Sequence, residues 1–281
     1  MKLREFIHET AQRLSRAKLH YGHGTDNARD EAAFLVLRGL KLPFDADLDQ
    51  EVDAARIAPL VERRIRERLP AAYLLKEAWL EGLPFHVDRR VIIPRSHIAF
   101  LFRQLKIRPR RVLDLCTGSG CLAILAARAF PRAEVDASDI SADALAIARR
   151  NVRKHGLENR VHLMRADLLA DTGVYDLIVS NPPYVSTASM RKLPAEYRHE
   201  PGIALAGGRD GLQFVSRILD AAPEHLRAGA LLVCEVGENR KALERAYPRV
   251  AFTWPRDEVF VLERARMAGV SRSASRRPRA A

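Results

Sequence analysis

The tetrapeptide Asn181-Pro182-Pro183-Tyr184 places a carboxamide, two proline imides and a phenol in one stiff stretch. The Asn181 side-chain oxygen and the Pro182 main-chain carbonyl are two hydrogen-bond acceptors, and Pro183 has no N–H to compete while restricting the residue before it. Tyr184 offers a flat face for stacking. Such a set suits a planar nitrogen, either an amide or an aromatic amine. Its lone pair is delocalised, so a site that alkylates it must hold both N–H bonds and turn the out-of-plane face toward an electrophilic carbon. No general base is needed beforehand, because an N-alkylated amide cation loses its proton readily. Alignment alone can contribute up to ~7–11 kcal/mol. Asn-Pro and Pro-Pro are also ordinary loop punctuation, so position in the fold decides between the two readings.

Upstream, Asp114-Leu-Cys116-Thr117-Gly118-Ser119-Gly120 closes one predicted strand and opens a helix. Gly118 and Gly120 let the main chain approach a ligand closely. Read as Gly118-x-Gly120-x-x-Ala123 with Asp139 nineteen residues beyond Gly120, the turn also matches the dinucleotide fingerprint. Alone, it fits NAD and S-adenosylmethionine equally. Both bring ribose hydroxyls that need a carboxylate at the end of the second strand, the role assigned here to Asp139.

From Arg110 onward, strands alternate with helices. Arg111–Leu115, Glu134–Asp139, Val161–Met164 and Tyr175–Ser180 read as strands, and 119–129, 141–155 and about 211–227 as helices, with a further strand from Ala230. This repetition predicts a parallel sheet covered on both faces. Asn181 then falls at the C-terminal edge of the fourth strand, where open α/β sheets bind ligands. Two terminal strands, 249–254 and 258–264, are too close for a crossover helix and should pair antiparallel. Residues 1–75 read as a helical, substrate-recognising domain. Leu3, Phe6, Ile7 and Leu14 share one face, Ala32, Leu35, Val36 and Gly39 another after Thr25 or Asp26 as N-cap, and Ile57, Leu60, Val61 and Ile65 a third. Residues 76–98, with Gly82 between two apolar runs and Val91-Ile-Ile before Pro94, read as a β-hairpin linker, and 99–265 as the catalytic domain.

The 281 residues are 47% hydrophobic and 29% charged, which excludes a mainly disordered or collagenous chain. Three cysteines cannot make a disulfide framework and suit a reducing compartment, so the expected location is cytoplasmic. The longest apolar run, Cys121–Ala127, is far too short to span a membrane. The net charge of +12 suits a polyanionic partner. Residues 266–281 carry five arginines and no acid, read as a disordered basic tail with a weak rRNA contact as its functional reading. The nine histidines show no metal-ligand spacing, and a metal at Cys116 and Cys121 would obstruct the turn, so none is expected. Residues between Tyr184 and Gly211 show little helix or strand and are a candidate lid, in which Arg198, His199 and Glu200 either touch substrate or pin the loop.

The stretch from Ile92-Ile-Pro-Arg-Ser through the Gly118 turn to Asn181-Pro-Pro-Tyr-Val resembles the N5-glutamine methyltransferases. Tyr21-Gly-His-Gly-Thr-Asp-Asn, Cys116 in place of the usual glycine, Glu196-Tyr-Arg-His-Glu-Pro and Phe252-Thr-Trp resemble the branch acting on large-subunit ribosomal protein L-three. The resemblance covers the chain to about Glu263. It implies a class I S-adenosylmethionine-dependent methyltransferase: α/β, Rossmann-like, with a mostly parallel seven-stranded sheet, an antiparallel terminal hairpin and a small helical domain in front. It further implies cofactor contacts from Asp114, Cys116, Thr117, Gly118, Ser119, Gly120, Asp139 and Asn181, with Asp167 at the adenine amine and Leu168 on its ring. Asn181 and Pro182 would be catalytic, and Asn181, Pro182, Pro183 and Tyr184 would hold the glutamine. An aspartate such as Asp167 in a turn is by itself more often a local backbone acceptor. Pro255-Arg-Asp-Glu departs from the branch by shortening the last hairpin. Competing readings are a glutamine methyltransferase of release factors, an exocyclic-amine methyltransferase of nucleic acid, and a non-catalytic assembly factor.

Overall fold

A computed structural model describes residues 1–270, arranged as two compact units. The first comprises Met1–Arg95 with Leu193–Pro201, the second Ser96–Lys192 with the chain from Gly202 onward.

The first unit holds helices α1 (Leu3–Arg16), α2 (Ala28–Gly39), α3 (Ala58–Glu67) and α4 (Ala71–Leu75). The apolar stripes read from the sequence meet in one core that buries Leu3, Phe6, Leu14, Leu35, Val36 and Val61. α2 is capped by Asn27, which accepts from the Asp30 N–H at 2.9 Å. Neither Thr25 nor Asp26 fills that role; the Thr25 hydroxyl reaches Glu31 instead. Strands β1 (Glu77–Leu80) and β2 (Leu83–His86) form the expected antiparallel hairpin. Val91-Ile-Ile adds no strand, because the Ile93 N–H is taken by the Glu200 carboxylate at 2.9 Å rather than by a ladder partner.

Residues 193–201 were expected within the catalytic domain but belong to this first unit. Long-range charge pairs explain why. Arg64, wholly buried and donating to Glu31 at 2.6 Å, stands 3.6 Å from Glu196, which accepts from Arg68 at 2.8 Å and from the His20 N–H at 2.9 Å. Arg95 forks onto both oxygens of Glu200, at 2.5 and 2.7 Å. His199 contacts the Glu67 carbonyl at 2.9 Å. Of the two readings of this segment, Glu200 and His199 pin it, while Arg198 stays exposed.

The second unit is built on seven strands: β3 (Arg111–Leu115), β4 (Glu134–Asp139), β5 (Val161–Arg165), β6 (Tyr175–Ser180), β7 (Leu226–Glu235), β8 (Thr253–Arg256) and β9 (Val259–Glu263). Their order is β5-β4-β3-β6-β7-β9-β8, with the first five parallel and β9 antiparallel to both neighbours. The helices are α5 (Ile98–Leu101), α6 (Cys121–Ala129), α7 (Ala142–Lys154), α8 (Thr187–Met190), α9 (Gln213–His225) and α10 (Arg240–Ala246). Val112, Leu113, Leu115, Leu177, Ile178 and Val179 show no exposed surface, as central strands covered on both faces must. The supposed lid contains α8 and two 3-10 turns, Ala195–His199 and Gly202–Ala204. Order also continues past residue 265. A 3-10 turn spans Arg264–Gly269, and Met267 is buried in the sheet's core. Arg272, Arg276, Arg277 and Arg279 of the expected basic tail lie outside the described residues. Among the described residues no helix is long and apolar enough to cross a membrane.

Candidate active site

Sheet register brings three chain exits together. Leu115 stands opposite Ser138 on one side and Ser180 on the other, so Cys116, Asp139 and Asn181 leave the same C-terminal edge from adjacent strands. This is the switch point of the order, where β3 sends its chain one way and β6 the other.

The turn after β3 is tied to β4. Thr117 N–H donates to the Ser138 carbonyl at 2.9 Å, and Gly118 N–H to Asp139 Oδ2 at 2.9 Å. The other Asp139 oxygen accepts from Ser141 N–H at 2.9 Å, leaving each oxygen a further lone pair. Burial raises the Asp139 pKa. Gly120 sits at φ +80°, and a Cβ there would come within 3.2 Å of Ala148 Cβ on α7. Its absence lets α6 start close against α7, and the buried Asn151 amide closes that junction by donating to the Ser119 carbonyl at 2.8 Å. Cys116 takes the left-handed φ of +59° without being glycine. Its side chain packs on the core, and burial raises its pKa, so it is a protonated spacer rather than a nucleophile.

Asp114 lies fully buried beneath the turn. Its Oδ2 accepts from Thr117 Oγ1 at 2.6 Å and Ala123 N–H at 3.0 Å, while Oδ1 has no partner among the described residues. Burial pushes its pKa to about 7 against the pull of those hydrogen bonds. An orphaned acceptor there, with open space where Gly118 would carry a Cβ, fits a ligand with a cationic head.

Asn181 and Tyr184 are partly exposed, and Pro182 and Pro183 are buried. Among the described residues neither the Asn181 amide nor the Pro182 carbonyl makes a hydrogen bond. Tyr184, by contrast, is fastened firmly. Its hydroxyl reaches buried Glu235 at 3.4 Å, and its carbonyl accepts from Asn239 Nδ2 at 2.8 Å. Its ring and carbonyl fill the space where Gly237 and Gly211 would carry a Cβ. Glu235, whose pKa burial raises, also accepts from Ser96 Oγ at 2.6 Å and His97 N–H at 3.1 Å.

The methyltransferase small domain family matches residues 97–196. The ribosomal protein uL3 glutamine methyltransferase of Bordetella pertussis is 50% identical over 93% of this chain and 95% of its own. This chain belongs to that family. The enzyme of the same name from Burkholderia pseudomallei is 47% identical over 90% of this chain and 89% of its own. A methyltransferase structure from Pyrococcus furiosus shares the fold, at a TM-score of 0.50 and 17% identity over 75% of this chain and 99% of that one.

Two residues of the expected cofactor set sit differently from the others. Leu168 is buried in the core, at φ +55°. Asp167 is half exposed and bridged by Arg217 of α9 at 2.8 Å. Sequence reasoning missed Glu235, Asn239 and Gly211. The available signal was Glu235-Val-Gly237-Glu-Asn239 following the apolar run of β7, at the edge where ligands bind.

Proposed function

We propose that the second unit transfers a methyl group from S-adenosylmethionine to the side-chain amide nitrogen of a glutamine in ribosomal protein uL3. The reading is carried by the unpartnered Asn181 amide and Pro182 carbonyl at the same sheet edge as the Gly118 turn.

When bound, the cofactor supplies an electrophilic methyl carbon on its sulfonium. Asp139 accepts from the ribose hydroxyls with the lone pairs left free by Gly118 and Ser141. Asp114 Oδ1 accepts from the cationic amino-acid head, a charge-assisted hydrogen bond. Asn181 Oδ1 and the Pro182 carbonyl hold the two amide N–H bonds, turning the nitrogen's lone-pair face outward, and Tyr184 packs on the flat carboxamide. Catalysis is alignment. No base on the protein need act first, since the alkylated amide sheds its proton to bulk water. A carboxylate poised to accept would only compete for the N–H bonds.

The relatives' printed name also favours uL3 over release factors or a nucleic-acid base as acceptor, and the three free cysteines suit a reducing cytoplasm. The test combines the purified full chain with uL3 and labelled cofactor, with mass spectrometry locating the modified residue. Asn181→Ala should cut transfer by about 100-fold or more, as loss of a transition-state hydrogen bond does, while cofactor affinity stays within a few-fold. Equal loss of both would refute the assignment.

A further inference from the structure

The methyl-transfer chemistry leaves Tyr21-Gly-His-Gly-Thr-Asp-Asn unused. Part of it lines a cavity of about 230 Å³ in the first unit, together with Asp30, Phe44 and Trp79. The aromatic wall is built in advance. Phe44 and Trp79 meet edge to face at 5.0 Å, and the Arg38 guanidinium lies 5.7 Å from each ring. Arg38 is itself held by Glu77 at 2.7 Å and the Leu42 carbonyl at 2.7 Å, and Glu77 also accepts from the Trp79 indole N–H at 2.9 Å. Yet Phe44 remains 51% exposed. The exposed ring forms one open wall of the cavity.

The rest of the lining is mixed, Phe34 and three alanines beside the polar His23, Thr25 and Asp30. Thr25 is held by Glu31. The His23 side chain is 1% exposed, and neither ring nitrogen is hydrogen-bonded among the described residues, Nε2 standing 3.7 Å from Glu200. Asp30 is the one charged residue lining the cavity, and it is exposed. Aromatic faces with a single carboxylate select a cation. They favour a guanidinium, which stacks flat on a ring while its edge donates to a carboxylate and a hydroxyl at once, over the compact, strongly hydrated ammonium of lysine. A protein destined to bind RNA carries such side chains on its surface.

We propose that this cavity takes an arginine side chain of the substrate protein, a docking contact made in addition to that with the acceptor glutamine. The proposal rests on the uL3 reading for the identity of that protein. Asp30 and Phe44 are then specificity-determining residues, reached through binding and not through the chemical step.

The test uses the full chain with Trp254→Phe, so that Trp79 is the remaining tryptophan and its emission reports on the cavity. Adding uL3 should change that emission. Asp30→Asn and Phe44→Ala, both at exposed positions, should each weaken uL3 binding and raise KM by about tenfold, with kcat at saturation unchanged. Lysine for arginine on the substrate side should lose part of the affinity, and an uncharged residue more. Variants that bind uL3 like the parent overturn the cavity's role, whatever the methyl-transfer result. Cavity-dependent binding without transfer would leave docking intact and refute the catalytic reading. An absence of binding by the parent chain would overturn both.

Discussion

Asn239 should control methyl transfer without touching cofactor or acceptor. Its side-chain amide donates to the Tyr184 carbonyl at 2.8 Å and to the Val236 carbonyl at 3.0 Å, joining the acceptor tetrapeptide to the exit of β7. Asn239→Ala removes both bonds. At a net value of about 1 kcal/mol each, roughly 2 kcal/mol is lost, which for a unit of this size lowers the melting temperature by about 4–8 °C. Tyr184 keeps its contacts with Glu235 and Gly237, so it shifts instead of coming free. A full ångström of misplacement costs about 100-fold, and we expect roughly 10–30-fold in single-turnover transfer. Cofactor affinity by calorimetry should stay within about threefold, because Asp114 and Asp139 lie on other strands. Asn239→Asp makes the sharper test: it sets a carboxylate oxygen against two carbonyl oxygens and should be worse than alanine in both stability and rate. Asn239→Ala that melts early yet transfers methyl groups at the parent rate would reduce this residue to a structural latch. Asn239→Asp outperforming alanine would show that the amide is not the donor.

Asp114 has its pKa raised to about 7 by burial, so its neutral form favours the folded state and that contribution disappears as pH rises through about 7. Cofactor affinity, measured by calorimetry from about pH 6 to about pH 8, should increase over the same range as the carboxylate forms; a flat profile would take Asp114 away from the cation. Glu200 behaves oppositely: burial raises its pKa, but His23 and Arg95 outweigh burial and hold it down to about 2. Its stabilisation is therefore complete above the ordinary 4.5 and lost as pH falls toward 2. Glu200→Gln should flatten acid unfolding in that window, and an unchanged titration would refute the pairing. Gly120→Ala adds a left-handed alanine whose Cβ meets Ala148 at 3.2 Å, and should cost roughly 1–2 kcal/mol or more in urea denaturation. A neutral result would mean that α6 and α7 can separate freely.

The sheet was legible because its signal is local. Apolar runs such as Arg111–Leu115 and Tyr175–Ser180 end at polar turns, and the short spacing of the last two strands permits only a hairpin. Asp139 could be placed for the same reason, a fixed offset from Gly120. The capture of residues 193–201 by the first unit has no such signature, since Glu196 and Glu200 meet partners 176 and 107 residues away in His20 and Ile93. The backbone at Leu168 had no sequence signal: an aspartate-leucine turn says nothing about φ, which is +55° there, with the side chain packed in the core. Met267 was readable in principle as an apolar residue in a basic stretch, the kind of position that anchors a terminal turn.

That division between local and distant signal has a functional consequence. The two carboxylates given to the cofactor's ribose and cationic head, Asp139 and Asp114, lie close in sequence and each binds the turn between them, at Gly118 and Thr117. The tetrapeptide assigned to the acceptor is instead braced from Asn239, 55 residues away, and from Glu235, 51 residues away. Perturbing the first set should change how tightly the cofactor is held, whereas perturbing the second should change how well a held cofactor is used. Affinity and turnover ought therefore to separate along the sheet, β3 and β4 governing the one, β6 and the exit of β7 the other. Variants on opposite sides of that line, such as Asp139→Ala and Asn239→Ala, should combine additively in transition-state free energy, because they share no partner.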